Sequence, residues 1–188
     1  ALGDTEAVVS RYLAAMAEKD TAYLKLKKHS SIDVQSSVRA PEVVEKIPNV
    51  DHRYGDGRAE VIGITVLDPS GVPAHLLEPS SKVIVRISVR AKEDLLHPNV
   101  GFIMRNHLGM DFAGTNSTRE GVDLPPMQPG DIYTVDFHVD LPHLYPSSFS
   151  FSPAIADGPL ERYSMCDWID NATTLQMGHG EGPTYGYL

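Results

Sequence analysis

The sequence predicts an all-β domain, an antiparallel β-sandwich, preceded by one helix and a linker. From Gly57 onward, apolar and polar residues alternate with a period of two in short runs, as in strands that bury one face. Glycine and proline separate these runs without an intervening helical pattern, which is typical of roughly seven or eight antiparallel strands. The chain of 188 residues is long enough for one domain with a sizeable core.

The segments before the sandwich differ from it in pattern. Residues 1–28 are predicted to be helical, because apolar side chains recur there at the spacing of one helix face. These side chains are Val8, Val9, Tyr12, Leu13 and Met16. Residues 29–53 lose this period among serines and prolines and are predicted to be a linker. Residues 54–188 are therefore predicted to form the β-sandwich.

The alternating runs define the strands and the core. The predicted strands are Arg58–Leu67, Lys82–Arg90, Asn99–His107, Met110–Thr115, Asp131–Val139, Ser147–Ile155 and Ile169–Met177. Side chains alternate between the two faces of a strand, so one phase of each run must lie between the sheets. The predicted core comprises Val85, Ile87, Phe102, Met104, Val135, Phe137, Phe149 and Phe151. Cys166, the single cysteine, is expected to be an ordinary core residue.

Charge and motifs exclude several classes of function. The formal net charge of −9 argues against binding nucleic acid, whose phosphate backbone requires a basic surface. The sequence contains no G-x-x-x-x-G-K-[ST] loop for phosphates and no G-x-S-x-G turn for a serine nucleophile. Histidine and cysteine lack the spacing of metal ligands. The sequence therefore predicts neither a metal nor another cofactor, and no catalytic residue.

Several segments occur together in a characteristic order. They are Tyr54–Val61, His97–Asn106, Gly109–Asn116 and Pro153–Gly158. Together they resemble the C-terminal domain of the Wzt-type ATP-binding subunit of O-antigen polysaccharide ABC transporters. Residues 3–12 resemble the end of an ABC ATPase domain.

This resemblance implies an immunoglobulin-like β-sandwich that binds the non-reducing end of an O-antigen polysaccharide and couples recognition to export. It implies a non-enzymatic domain at the cytoplasmic face of the inner membrane, joined to the membrane subunit through an ATPase domain of a longer chain. Because these exporters carry two ATPase subunits, it also implies a homodimer. The glycine- and aromatic-rich segment Gly178–Leu188 is expected either to add a strand to a neighbour's sheet or to be a frayed terminus.

A sugar site requires aromatic faces and planar polar groups. If Phe102 lies in the core, Arg105 and His107 face outward from the same strand. Asp111, Thr115 and Asn116 can join them from the next strand, beside a shallow trough of small residues that include Ala113, Ser148, Ser150 and Ser152. Trp168, the only tryptophan, is a candidate stacking platform. The predicted glycan-binding residues are Arg105, His107, Asp111, Asn116, Ser150 and Trp168.

Other interpretations stay open at this point. The candidate residues can equally be surface pairs and turn residues, with Trp168 in the core. The opposite sheet offers a second polar face formed by Arg86, Ser88, Arg90, Thr134, Asp136 and His138. The domain can be a glycan-processing enzyme, whose two carboxylates would come from Asp111, Asp136, Asp140, Asp157, Asp167 and Asp170. It can also be a purely structural dimerisation module.

Overall fold

The computed structural model describes residues 41–179, which form two packed β-sheets and contain no helix. The ten strands are β1 (His52–Tyr54), β2 (Ala59–Leu67), β3 (Leu76–Leu77), β4 (Lys82–Ala91), β5 (Pro98–Asn106), β6 (Asp111–Asn116), β7 (Ile132–Asp140), β8 (Ser148–Asp157), β9 (Ser164–Asp170) and β10 (Thr173–Met177). The predicted all-β sandwich is confirmed. The predicted N-terminal helix and residues 180–188 lie outside the described residues, so the limits of helix and linker stay predictions.

The larger, seven-stranded sheet is organised around β8. One edge of β8 pairs with β5, and the other edge pairs first with β10 and then with β9. The sheet extends from β5 to β6, from β9 to β1 and from β10 to β3. All of these pairs are antiparallel except β3 with β10. The smaller sheet has the order β2-β4-β7 and is entirely antiparallel.

The core lies between the sheets and contains the side chains that alternation predicted. Phe137 and Phe151 are fully buried, and Phe102 is 6% exposed. The ring of Phe102 meets the edge of Phe137 at a centroid distance of 5.4 Å and lies 6.0 Å from Phe151. The other predicted core residues are also buried, namely Val85, Ile87, Met104, Val135 and Phe149. Aromatic rings from both sheets therefore pack against one another at the centre of the sandwich.

Cys166 is buried in this core, as predicted. Burial, together with the nearby carboxylate of Asp56, raises the pKa of the Cys166 thiol to about 12. Because the thiolate is the reactive species, the folded protein at pH 8 should not react with a thiol-specific disulfide reagent. In guanidinium, the unfolded protein should react through Cys166 and release one equivalent of the leaving thiol of this reagent. Rapid release of one equivalent from the folded protein would contradict this prediction.

Two features of the strand order differ from the prediction. Ile169–Met177 was predicted as one strand, and this is wrong, because the chain turns at Asn171 between β9 and β10. Asn171 has a φ of 52°, a left-handed conformation that asparagine tolerates better than most residues. Strands β1 and β3 were not predicted, since they contain 3 and 2 residues and are too short to show an alternation.

The residues before β1 lie along β2 and over the outer face of the three-stranded sheet. We name residues 42–48 the strap. The Val44 N–H donates to Ser88 Oγ at 2.8 Å, and the Ile64 N–H donates to the Lys46 carbonyl at 3.0 Å. A Cβ atom at Gly63 would lie 2.1 Å from the Val44 carbonyl oxygen, so a glycine is needed for this close approach. Part of the predicted linker thus covers the sandwich.

Candidate functional site

The outer face of the seven-stranded sheet carries a row of aromatic rings that are exposed or half-buried. Tyr54 of β1 and Trp168 of β9 are cross-strand partners, with ring centroids 6.0 Å apart and planes inclined by 24°. His52 lies two residues before Tyr54 on the same face, and their ring centroids are 5.5 Å apart. Tyr54 is 47% exposed. We name His52, Tyr54 and Trp168 the aromatic row.

A polar network lies directly beside the aromatic row. Asp170 Oδ1 accepts hydrogen bonds from Trp168 Nε1 at 2.8 Å and from Arg105 Nη1 at 2.6 Å. Arg105 Nε also donates to Asp111, and His52 Nδ1 lies 3.6 Å from Asp170 Oδ2. We name Arg105, Asp111 and Asp170 the polar network. It connects β5, β6 and β9 across the outer face of β8.

Small side chains on β8 allow this connection. Arg105 is the register partner of Ser150, and Ile103 is the partner of Ser152. Serine at these positions leaves room for the guanidinium of Arg105 to pass over β8 and reach Asp170 on β9. A larger residue would block that path. The outward serines that the alternation of β8 predicts therefore determine where the polar network forms.

The charges of the network are fixed by its hydrogen bonds. Burial alone would raise the pKa of Asp170, but the hydrogen bonds from Trp168 and Arg105 outweigh it and hold that pKa below its ordinary value. The hydrogen bond to Asp111 raises the pKa of the Arg105 guanidinium. Asp170 and Arg105 are therefore both charged near neutral pH. Carboxylates held in this state accept hydrogen bonds and do not donate them.

Four of the six predicted site residues lie in or next to this site. Arg105 and Asp111 belong to the polar network, and Trp168 belongs to the aromatic row. Ser150 lies beside them, where its Oγ donates to Asn171 Oδ1 at 2.7 Å. The Asn171 side chain in turn donates to Asp51 Oδ2 at 2.8 Å.

The other two predicted residues lie away from the aromatic row. His107 is in the turn after β5, where its Nδ1 is 2.5 Å from Ser147 Oγ. Asn116 ends β6, three strands away from Trp168, and its Oδ1 accepts from the Arg119 N–H at 2.8 Å. The side chain of Asn116 therefore caps the turn that follows β6.

The prediction that Ala113 and Thr115 face outward is wrong. Ala113 pairs with Met104 and Thr115 pairs with Phe102, so both lie in the core phase of β6. The register shifts between Met104 and Arg105, where a β-bulge at Phe112 inserts one extra residue into β6. A bulge reverses the phase of the strand beyond it, so strict alternation from the outward Asp111 assigns these two residues to the wrong face.

The predicted trough of small residues is partly filled by the protein itself. Ser152 is fully buried, and its Oγ accepts from the Asn171 N–H at 3.0 Å. A Cβ atom at Gly101 would lie 2.6 Å from Asn116 Cβ, so β6 already occupies the space above that glycine. The open part of the outer face is therefore the aromatic row with the polar network.

Sequence reasoning missed His52, Tyr54 and Asp170 as site residues. His52 and Tyr54 alternate around Arg53, and Trp168 and Asp170 alternate around the buried Ile169. This two-residue spacing was the available signal. It was hidden because the predicted linker continues to residue 53, and because Asp170 is named only among the six carboxylates of the enzymatic alternative.

The outer face of the three-stranded sheet is already occupied. The strap crosses it, and Glu45 of the strap lies 3.2 Å from Arg90. Arg86 donates two hydrogen bonds to Asp136, at 2.7 and 2.8 Å, and Ser88 Oγ lies 2.8 Å from Thr134 Oγ1. Five polar side chains of this second face thus bind one another or the strap, namely Arg86, Ser88, Arg90, Thr134 and Asp136.

Two further properties concern the described part of the chain. Among residues 41–179, no group of three or more histidine, cysteine, aspartate or glutamate side chains is arranged to hold a metal ion. Within the same range, no helix has the length and apolar character needed to cross a membrane.

Comparison with known proteins places these features in a family. A search of curated proteins finds no match. Among solved structures, the fold is similar to one described as "Crystal structure of the C-terminal domain of wzt", with a TM-score of 0.66 and 18% identity over 78% of this chain and 98% of that chain. At this identity the similarity supports the fold alone. Residues 50–188 match the family model described as "Wzt C-terminal domain". The chain therefore belongs to the Wzt C-terminal domain family, whose members are carbohydrate-binding domains of O-antigen ABC transport.

Proposed function

We propose that this domain binds the non-reducing end of an O-antigen polysaccharide through the aromatic row and the polar network. Binding there would couple recognition of the finished glycan to its export by the ABC transporter. The observation that carries the proposal is the stack of the exposed Tyr54 on the half-buried Trp168, beside charged hydrogen-bonding groups and on the sheet face that the strap leaves open. Family membership supplies the class of ligand.

The chemistry of the site suits a sugar ring. A pyranose presents an apolar face of C–H groups and a rim of hydroxyls. The rings of Tyr54 and Trp168 offer apolar surface for the C–H face, and Asp111 and Asp170 offer acceptors for the hydroxyls. Each hydrogen bond contributes only about 0.5–1.5 kcal/mol net. A single sugar unit is therefore expected to bind with a Kd of about 1 μM or weaker.

The state of the carboxylates favours binding over cleavage. A glycosidase requires one carboxylic acid with a raised pKa to protonate the leaving group. In this site Arg105 hydrogen-bonds both Asp111 and Asp170, and the pKa of Asp170 is lowered. A lowered pKa removes the proton that the general acid would have to donate. This supports a domain that holds the glycan without hydrolysing it.

The proposal includes the setting of the domain. The family belongs to ABC transport, so we place the domain at the cytoplasmic face of the inner membrane, within a longer subunit that carries the ATPase. We propose that it acts as a homodimer, since an ABC transporter has two ATPase sites. Its contact with the membrane subunit would then pass through the ATPase domain.

Replacing Tyr54 with alanine should weaken binding of the O-antigen polysaccharide of the source organism by at least about tenfold, equivalent to about 1.4 kcal/mol. The variant should fold normally, because Tyr54 lies on an edge strand and is 47% exposed. Isothermal titration calorimetry measures the affinity. His138→Ala, on the three-stranded sheet, is the matched control and should bind like the parent. Parent-like binding by both Tyr54→Ala and Trp168→Ala would contradict the proposed site.

A further inference from the structure

The charges around the aromatic row are unbalanced. Close to the aromatic row, the carboxylates of Asp51, Asp111 and Asp170 stand beside the guanidinium of Arg105 and the imidazole of His52. Among these five groups, the acidic ones outnumber the basic ones even with His52 protonated. The formal net charge of the whole chain, −9, has the same sign. The potential near the row therefore repels anions at short range and at long range.

The charged donor of this site, the guanidinium of Arg105, is engaged with carboxylates. Arg105 donates through Nε to Asp111 and through Nη1 to Asp170, and Trp168 donates its indole N–H to Asp170. Asn171 donates its amide N–H to Asp51. A phosphate or carboxylate on a ligand would have to compete with Asp111 and Asp170 for the guanidinium of Arg105. Proteins usually bind a phosphate or carboxylate group through arginine or lysine donors that are free to reach it.

The acceptors, in contrast, retain capacity. A carboxylate has about four lone-pair positions. The bonds described above leave part of this capacity unused on Asp111 and Asp51, and Asp111 is 49% exposed at its side chain. Sugar hydroxyls are donors, so they can bind these oxygens without displacing Arg105. The site thus complements a ligand rich in hydroxyls and poor in negative charge.

We propose that the aromatic row and polar network select a glycan end whose terminal sugar is uncharged, and reject an end that carries a phosphate or carboxylate group. This inference rests on the proposed function and specifies its ligand. The physical basis is the cost of placing a ligand anion beside Asp111 and Asp170, where the guanidinium of Arg105 is already shared between these two carboxylates.

The test uses the full chain and an array of synthetic oligosaccharides in matched pairs. The two members of a pair differ only in the terminal sugar, which is neutral in one and bears a phosphate or carboxylate in the other. The parent should bind the neutral members at least about tenfold more tightly. The preference should shrink at high salt, since screening weakens charge repulsion.

Charge-neutral variants identify the residues responsible. Asp111→Asn and Asp170→Asn combined should reduce the preference for neutral ends severalfold, because asparagine keeps the shape of aspartate without its charge. Asp136→Asn is the matched control. It removes a carboxylate paired with arginine on the three-stranded sheet and should leave the preference unchanged.

The outcomes separate this inference from the proposed function. Binding of anionic ends as tight as that of neutral ends, lost in Tyr54→Ala, would overturn the inference and leave the proposed site intact. The same holds if the double variant keeps the full preference of the parent. Failure of the parent to bind any member of the array or its own O-antigen polysaccharide would overturn the proposed function, and the inference with it.

Discussion

Replacing Phe102 with alanine is expected to lower the melting temperature of the domain by roughly 10–20 °C. Phe102 lies at the centre of the core, with its ring 5.4 Å from that of Phe137 and 6.0 Å from that of Phe151. Removing it costs the hydrophobic transfer energy of the ring and leaves a cavity between the sheets. Together these amount to about 3–5 kcal/mol, a large part of a typical domain stability of about 5–15 kcal/mol.

Phe112→Ala provides the control for this loss. Phe112 is 36% exposed, and its ring meets Phe149 at the edge of the sandwich, with centroids 5.3 Å apart. Its removal should cost roughly 1 kcal/mol. Thermal unfolding followed by circular dichroism compares the two variants. Equal losses in both would mean that Phe102 does not occupy the centre of the core.

Replacing Asp167 with alanine is expected to cost about 3 kcal/mol in the free energy of unfolding. Asp167 is 5% exposed and accepts hydrogen bonds from Arg53 Nε at 2.9 Å, from Arg53 Nη2 at 2.7 Å and from the Val61 N–H at 2.7 Å. It therefore joins β9 to β1 and to β2 of the other sheet. Alanine leaves a buried backbone N–H without its acceptor and Arg53 without its counter-ion.

Asp140→Ala is the matched control, because it removes a carboxylate from a surface ion pair. Asp140 lies 3.5 Å from Lys82, and the two side chains are 40% and 74% exposed. Such pairs contribute about 0–1 kcal/mol. Urea unfolding should therefore show a small shift for Asp140→Ala and a large one for Asp167→Ala. A loss below about 1 kcal/mol for Asp167→Ala would contradict the structural role given to that carboxylate.

Asp167 has a structural role that is distinct from the binding role proposed for its neighbour Trp168. Its neighbour Trp168 belongs to the aromatic row, and residues 167 and 168 point to opposite faces of β9. Sequence reasoning treated Asp167 as one of six carboxylates of similar standing. Burial distinguishes it from Asp170, which lies on the outer face and carries the polar network.

The sequence by itself determined the fold class, the core and the family. Alternation with a period of two records which side chains leave water, and it placed Val85, Ile87, Phe137 and Phe151 correctly between the sheets. Order and spacing of short motifs indicated the family, because these features are local along the chain. Burial and local motifs can be predicted from the sequence without knowledge of which strands are neighbours in a sheet.

The tertiary structure alone determined which residues lie together in the candidate site. Tyr54 and Trp168 are separated by more than a hundred positions in the chain and meet only because β1 pairs with β9. The polar network requires the register that sets Arg105 opposite Ser150, and the bulge at Phe112 changes which residues of β6 face outward. The strap covers part of the outer face of the three-stranded sheet through contacts of Val44 with β2 and β4. Strand pairing, register and bulges arise from long-range contacts, and the alternation within one strand carries no information about them.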